Sequence, residues 1–162
     1  MASKLHVKDK GLKALLKRLE QPPVSLTVGV HEKDNEPYER GVGQEATTAN
    51  IASFHEYGTE KMPARPWLGP VVQKNRDRYL DSIALVEQAF LMGKLSKNQR
   101  YMKLSLIGEK ITSDVLNHID QAKFAPLAES TIMARRNRDK GSIKILQDTG
   151  QFIQSISYEV KD

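Results

Sequence analysis

At 162 residues and 18.3 kDa, with 39% hydrophobic and 28% charged residues, the chain has the size and composition of one globular domain with room for a sizeable core. The absence of cysteine excludes disulfide scaffolds, thiol catalysis and cysteine-ligated zinc or iron–sulfur centres, and no apolar run approaches the ~20 residues of a membrane span. The formal charge of +5 is unevenly spread: residues 1–20 carry six bases and two acids, 31–62 three bases and seven acids, 74–110 eight bases and four acids, and 129–144 five bases and two acids. An acidic segment between basic ones suits self-association through opposite patches at least as well as it suits nucleic acid. A soluble chain made in a cytoplasm is expected.

In chain order, Asp9 is a candidate cap for a short helix whose Leu12, Leu15, Leu16 and Leu19 form one apolar stripe, ended by Pro22 and Pro23. Val24, Leu26, Val28 and Val30 alternate with Ser25, Thr27 and Gly29, which predicts a half-buried strand. Residues 31–46 are polar and acidic, without periodicity, and read as a long loop. Thr47 or Thr48 is placed to cap a helix through Ile51, Ala52 and His55, with Gly58 at a left-handed position past its end. Pro63, Pro66 and Pro70 stiffen a connector spanning 59–70.

Two long helices are predicted next. The first runs from about Pro70 to Met92, with Val71, Val72, Tyr79, Leu80, Ile83, Val86, Ala89 and Phe90 as apolar positions. The second runs from about Gln99 to Ala122, with Leu104, Gly108, Ile111, Val115 and Ile119 recurring every three or four residues and Gly108 suited to a close contact. Pro126-Leu127 breaks this pattern, and a short helix from about Ser130 ends in Arg135, Arg136 and Arg138. Ile143 to Leu146 reads as a brief strand, Asp148-Thr149-Gly150 as a capping turn with Gln151-Phe152 fitting a helical turn after it, and Phe152 to Val160 ends in a β-prone run with Ile156, Tyr158 and Val160 on one face. The expected fold is α+β: a small antiparallel sheet of N- and C-terminal strands against two long central helices plus short ones, in a single domain over 1–162 with residues 1–22 as its N-terminal amphipathic helix.

Chemical motifs are sparse. Asp148-Thr149-Gly150 matches the tripeptide of aspartic proteases, but Gln147 interrupts the apolar strand such a turn needs, which favours the capping turn. His55-Glu56 lacks a second histidine four residues on, and His6, His31 and His118 have no metal-ligand spacing. Gly41-Val42-Gly43 is followed by no Lys-Ser or Lys-Thr, so it reads as a loop tip. No cofactor and no metal are expected. Arg135, Arg136, Arg138 and Lys140 form a basic patch that reads either as a solvated helix face or as a grip for phosphates or carboxylates. Trp67, the only tryptophan, reads either as a core anchor or as an interface anchor on a stiff loop.

The string Ile51-Ala-Ser-Phe-His-Glu-Tyr-Gly-Thr59, followed by Met62-Pro-Ala-Arg-Pro-Trp-Leu68, resembles the signature of tail-completion or minor tail proteins of tailed bacteriophages, the family that groups minor tail protein Z-like and Mu-type virion morphogenesis proteins. Leu146-Gln-Asp-Thr-Gly150, with an apolar residue at Phe152 or Ile153 and then Ser155-Ile156 and Tyr158-Glu-Val160, resembles its closing block, and Pro126-Leu127 with Thr131 and Arg135-Arg136 lies between them in the same order. The resemblance spans most of the chain from Val28 onward. Residues 1–20 and 31–46 match nothing in it.

The resemblance implies a non-enzymatic virion component of the tail or neck, made in the host cytoplasm and acting in tail completion or head–tail joining. It implies a ring of about six identical copies around the DNA channel. The partners implied are tail-tube, tail-terminator or head-completion proteins and DNA that passes through without sequence-specific binding; a membrane is not among them. Glu56, Tyr57, Gly58, Thr59, Arg65, Pro66 and Trp67 are then expected to form a shaped interface connector. In it Gly58 allows the turn, Arg65 pairs with a carboxylate and Trp67 fills a pocket in its own subunit or the neighbour. The 31–46 loop is expected to order on meeting another virion protein. The rival expectation is a DNA-binding accessory protein acting through its basic patches.

Overall fold

The computed structural model describes residues 11–38, 46–137 and 143–162. Asp9 as a cap, the Gly41-Val42-Gly43 tip, Arg138 and Lys140 lie outside them. The described residues form an α+β fold in the order α1 (Leu12–Leu19), β1 (Ser25–Val30), α2 (Thr48–Tyr57), α3 (Gly69–Leu91), α4 (Lys97–Gln121), α5 (Glu129–Arg136), α6 (Gln151–Gln154) and β2 (Ile156–Lys161). β1 and β2 pair antiparallel from Ser25 opposite Lys161 to Val30 opposite Ile156, so the two ends of the chain close on each other. The expected architecture of a terminal sheet against two long central helices is the one observed.

The long helices follow from their patterns. Ser96 and Gln99 make a reciprocal capping box, with the Gln99 amide donating to Ser96 Oγ at 3.2 Å and the Ser96 amide to Gln99 Oε1 at 2.9 Å. This starts α4 two positions before the expected Gln99. Its stripe of Leu104, Gly108, Ile111, Val115 and Ile119 is buried. Gly108 does provide a close contact: a Cβ there would lie 2.5 Å from the Tyr158 ring and 3.0 Å from Leu26 Cδ1, so the helix backbone lies directly against both strands.

α3 packs along α4, and the cross-links between them run in opposite chain directions. Arg78 pairs with Asp114 at 2.6 Å, the Tyr79 hydroxyl donates to Asp114 at 2.9 Å, and Arg100 forks onto Glu87 at 2.9 and 2.6 Å. Buried Arg100 also stacks over the Phe90 ring at 4.5 Å, so its charge is paired and its plane is covered. Of the apolar positions expected on α3, Val71, Tyr79, Val86 and Phe90 are buried, whereas Val72 and Leu80 face out.

One local expectation is corrected. Ile143 to Leu146 is not a strand: the segment turns, and Leu146 adopts φ 63° with its side chain buried in the core. Burial of the side chain outweighs the cost of that backbone conformation. Phe152 sits on the single helical turn of α6, as the reading of Gln151-Phe152 expects, and strand pairing begins at Ile156. Within the described ends of the expected loop 31–46, Glu32–Asp34 form a 3-10 turn, the Tyr38 amide donates to Ala46 O at 2.8 Å, and the Thr48 amide donates to Glu36 O at 3.0 Å.

The core draws on almost every element. Ala52, Trp67, Val71, Val115, Ile119, Leu146, Phe152 and Ile156 form one cluster. α1 and α5 contribute no buried residue.

Candidate functional site

The two sequence strings that carry the phage resemblance meet in space at a junction of α2, the connector after it, α6 and the segment that follows α4. α2 begins at a capping box between Thr47 and Asn50 and ends at Gly58. Gly58 has φ 76° as expected for glycine but ψ −179°, an extended continuation and not the compact left-handed cap. A Cβ there would lie 2.8 Å from Ala64 N and 2.9 Å from Met62 O, so only glycine lets the chain fold back. The return is held by Thr59 and Met62 exchanging backbone hydrogen bonds at 2.8 and 3.2 Å, and by the Arg65 amide donating to His55 O at 2.7 Å.

Glu56 is the hinge pin of this junction. Its carboxylate accepts hydrogen bonds from the amides of Trp67 at 2.8 Å, Leu68 at 3.0 Å and Gly69 at 2.9 Å. Leu68 itself supplies no side-chain cap to α3, so a carboxylate from the preceding helix takes that place, satisfying orphan amides and meeting the positive end of the helix dipole. The approach is tight: a Cβ at Gly69 would lie 2.7 Å from Glu56 Oε1. No periodicity rule finds this arrangement, because it is a cap delivered from another helix.

Arg65 does not pair with a carboxylate as expected. It is buried, at 4% exposure, and donates from Nε to Ala125 O at 2.8 Å and from Nη2 to Pro126 O at 2.9 Å. Two successive carbonyls past the end of α4, where no helix supplies donors, are satisfied by one planar fork. Trp67 is equally buried and fills a pocket in its own chain. Its Nε1 donates to Ala52 O at 2.9 Å, and its ring meets Phe152 edge-on at 5.2 Å. His118 reaches Pro66 O at 3.2 Å and stacks edge-on with Phe124.

His55 packs against Phe152 at 5.4 Å. Burial, then the guanidinium groups of Arg65 and Arg135, push its pKa down to about 4. It is therefore neutral at physiological pH. Arg135 lies 3.5 Å from Asp148 and donates to Lys144 O at 3.0 Å, while the Gln151 amide donates to Thr149 Oγ1 at 3.2 Å. Asp148-Thr149-Gly150 is thus a turn that opens α6, with Gly150 at φ 84°.

No family model, curated protein or solved structure matches the chain.

Of the residues expected to act together, Glu56, Gly58, Arg65, Pro66 and Trp67 are joined in one network turned inward on the chain. Tyr57 is not part of it and lies exposed on the outside, at 80%, and Thr59, also exposed, joins the connector through its backbone pair with Met62. The basic patch divides, since Arg135 is engaged at the junction while Arg136 is exposed. Among the described residues no cluster of three or more His, Asp or Glu side chains is arranged to hold a metal ion, and no helix is long and apolar enough to cross a membrane.

A second polar network escaped the sequence reading. Thr27 Oγ1 lies 2.9 Å from His31 Nε2, His31 Nδ1 lies 2.9 Å from Ser157 Oγ, and the Ser157 hydroxyl donates to Asp34 at 2.5 Å. It clips the 3-10 turn onto the sheet. Spacing has no means of revealing it, because 126 residues separate His31 from Ser157.

Proposed function

We propose that this chain is a structural virion protein of a tailed bacteriophage, a tail-completion or neck component that assembles as a ring at the head-proximal end of the tail. The single observation that carries the reading is the convergence of the resembling strings. His55-Glu56-Tyr57-Gly58-Thr59, Pro63-Ala-Arg-Pro-Trp67 and Asp148-Thr149-Gly150 are far apart in the chain, yet they build one joint. Within it Glu56 caps α3, Arg65 ties down the segment after α4, and Trp67 closes on Phe152. The polar groups of these strings are spent on holding helices at fixed angles, which is what a subunit repeated around an axis requires.

The test is assembly. In an infection lacking this chain, filled heads and full-length tails should accumulate unjoined, and the purified chain should restore joining. Joined, infectious particles formed without it would end the reading. The DNA-binding alternative makes the opposite demand: tight association with linear duplex that weakens steeply with salt as counterions are released. A ring subunit binds duplex weakly at physiological salt.

A further inference from the structure

His55 stands in the last turn of α2 with its ring against Phe152, and its Nδ1 is shut off from solvent with no hydrogen-bond partner among the described residues. The elements packed around it bring cations. The connector supplies Arg65, whose guanidinium is spent on Ala125 O and Pro126 O, and α5 supplies Arg135, which lies 3.5 Å from Asp148 in the turn before α6. Burial and then Arg135 pull the pKa of Arg65 down, so these two guanidinium groups already oppose each other.

The other charged groups near the ring are committed elsewhere. Glu56, on the same helix, is turned onto the amides of Trp67, Leu68 and Gly69, and His118 of α4 reaches Pro66 O. Lys144 Nζ lies 3.5 Å from Asp120, while α6 presents Gln151 and Gln154, which carry no charge. A proton on His55 therefore adds a third positive charge beside two guanidinium groups whose nearby carboxylates are engaged. The closed junction resists that proton, which is the reason the imidazole titrates at about 4.

Packing sets which part gives way. Phe152 lies between His55 and Trp67, with ring centroids 5.4 and 5.2 Å away, and it sits on α6, a single turn of four residues. α3 and α4 are tied by contacts that do not include His55: Asp114 with Arg78, Tyr79 and Lys110, and Glu87 with Arg100. Burial raises the Asp114 carboxyl, but hydrogen bonds from Lys110 and Tyr79 hold it below the ordinary carboxylate range, so this tie keeps its charge in mild acid.

We propose that the junction is an acid-released latch: a proton taken up by His55 frees Phe152 and α6 from Trp67 while α3, α4 and the sheet stay closed. This goes beyond the assembly role and does not depend on it. The open latch exposes an ordinary imidazole. Its population therefore rises about tenfold for each pH unit below 6.5, until the closed form also takes the proton near 4.

Hydrogen exchange of the full chain tests this at chosen sites. The Trp67 indole N–H donates to Ala52 O at 2.9 Å, and the Gln154 and Ser155 amides donate to Gly150 O and Gln151 O at 3.0 Å. After correction for the chemical exchange rate, their protection should fall about hundredfold between pH 6.5 and 4.5 and should not change in low urea. The amide of fully buried Val115 in α4 should instead lose protection as urea rises, because global unfolding is what exposes it. His55→Gln should abolish the pH dependence at the three junction sites. Junction sites that follow urea in parallel with Val115 would show that α6 leaves only when the whole chain unfolds, and the latch would be wrong. A hundredfold fall that persists in His55→Gln would assign the proton to another group, such as His118 or Glu56, and overturn it as well. Should that variant not fold, the wild-type imidazole resonances decide: His55 must be neutral at about pH 6, and a ring already charged there refutes the proposal.

Discussion

α1 and α4 carry apolar stripes with similar helical spacing, yet they end in opposite situations. In α4, Leu104, Ile111, Val115 and Ile119 are buried against the sheet and the core cluster, and Ser96 and Gln99 cap the helix start. In α1, every leucine of the stripe faces out, and the cap residue Gly11 makes no side-chain cap hydrogen bond. The same periodicity thus identifies a helix in both cases and a covered face in only one. What separates them is reach: α4 has 25 residues running under both strands and along α3, while α1 has eight and places Arg18 over Gly93 just past the end of α3.

The largest test of that contrast is truncation of one leucine from each stripe. Leu104→Ala should cost about 2–5 kcal/mol in denaturant unfolding of the monomer, from lost burial plus a cavity, whereas Leu16→Ala should cost under about 0.5 kcal/mol. Equal losses would mean that α1 is covered within its own chain.

pH probes the buried side of the contrast at a second place. His55 is held near 4 in the folded chain against an ordinary value of 6.5, so between these pH values the unfolded chain binds a proton that the folded chain refuses. Its contribution is fully present above about pH 6.5 and is lost as pH falls toward 4, at about 1.4 kcal/mol per pH unit. Unfolding measured at pH 7 and pH 4.5 should show that difference reduced by about 2 kcal/mol in His55→Gln. An unchanged difference would remove His55 from the acid response.

The smallest effect is expected at Gly108. Alanine there gains helix propensity but drives a methyl into the Tyr158 ring, and the net loss should be roughly 1 kcal/mol. A stabilised Gly108→Ala chain would show that the α4 face sits more loosely on the sheet than the contact distances describe.

Much of the fold was legible because it is local. The stripe from Leu104 to Ile119 and the alternation from Val24 to Val30 declare a helix and a strand through periods of 3.6 and 2, and Gly58 and Gly108 stood out as places where a side chain would obstruct. The start of α4 was legible too in Ser96 and Gln99, a capping box the periodicity alone passed over. At the junction the residue types were visible and their partners were not. Arg65 was expected to seek a carboxylate, and it took two carbonyls because the chain leaving α4 places those acceptors beside it.

The sequence by itself determined the elements, their polarity and the alternation of basic and acidic stretches, since these depend on neighbours within a few positions. Tertiary structure alone decided that Glu56 caps a helix it does not belong to, that Trp67 is closed in by Phe152, and that His55 is kept neutral. Each of these is a relation between residues brought together by packing, and no pattern of neighbouring residues reveals both members.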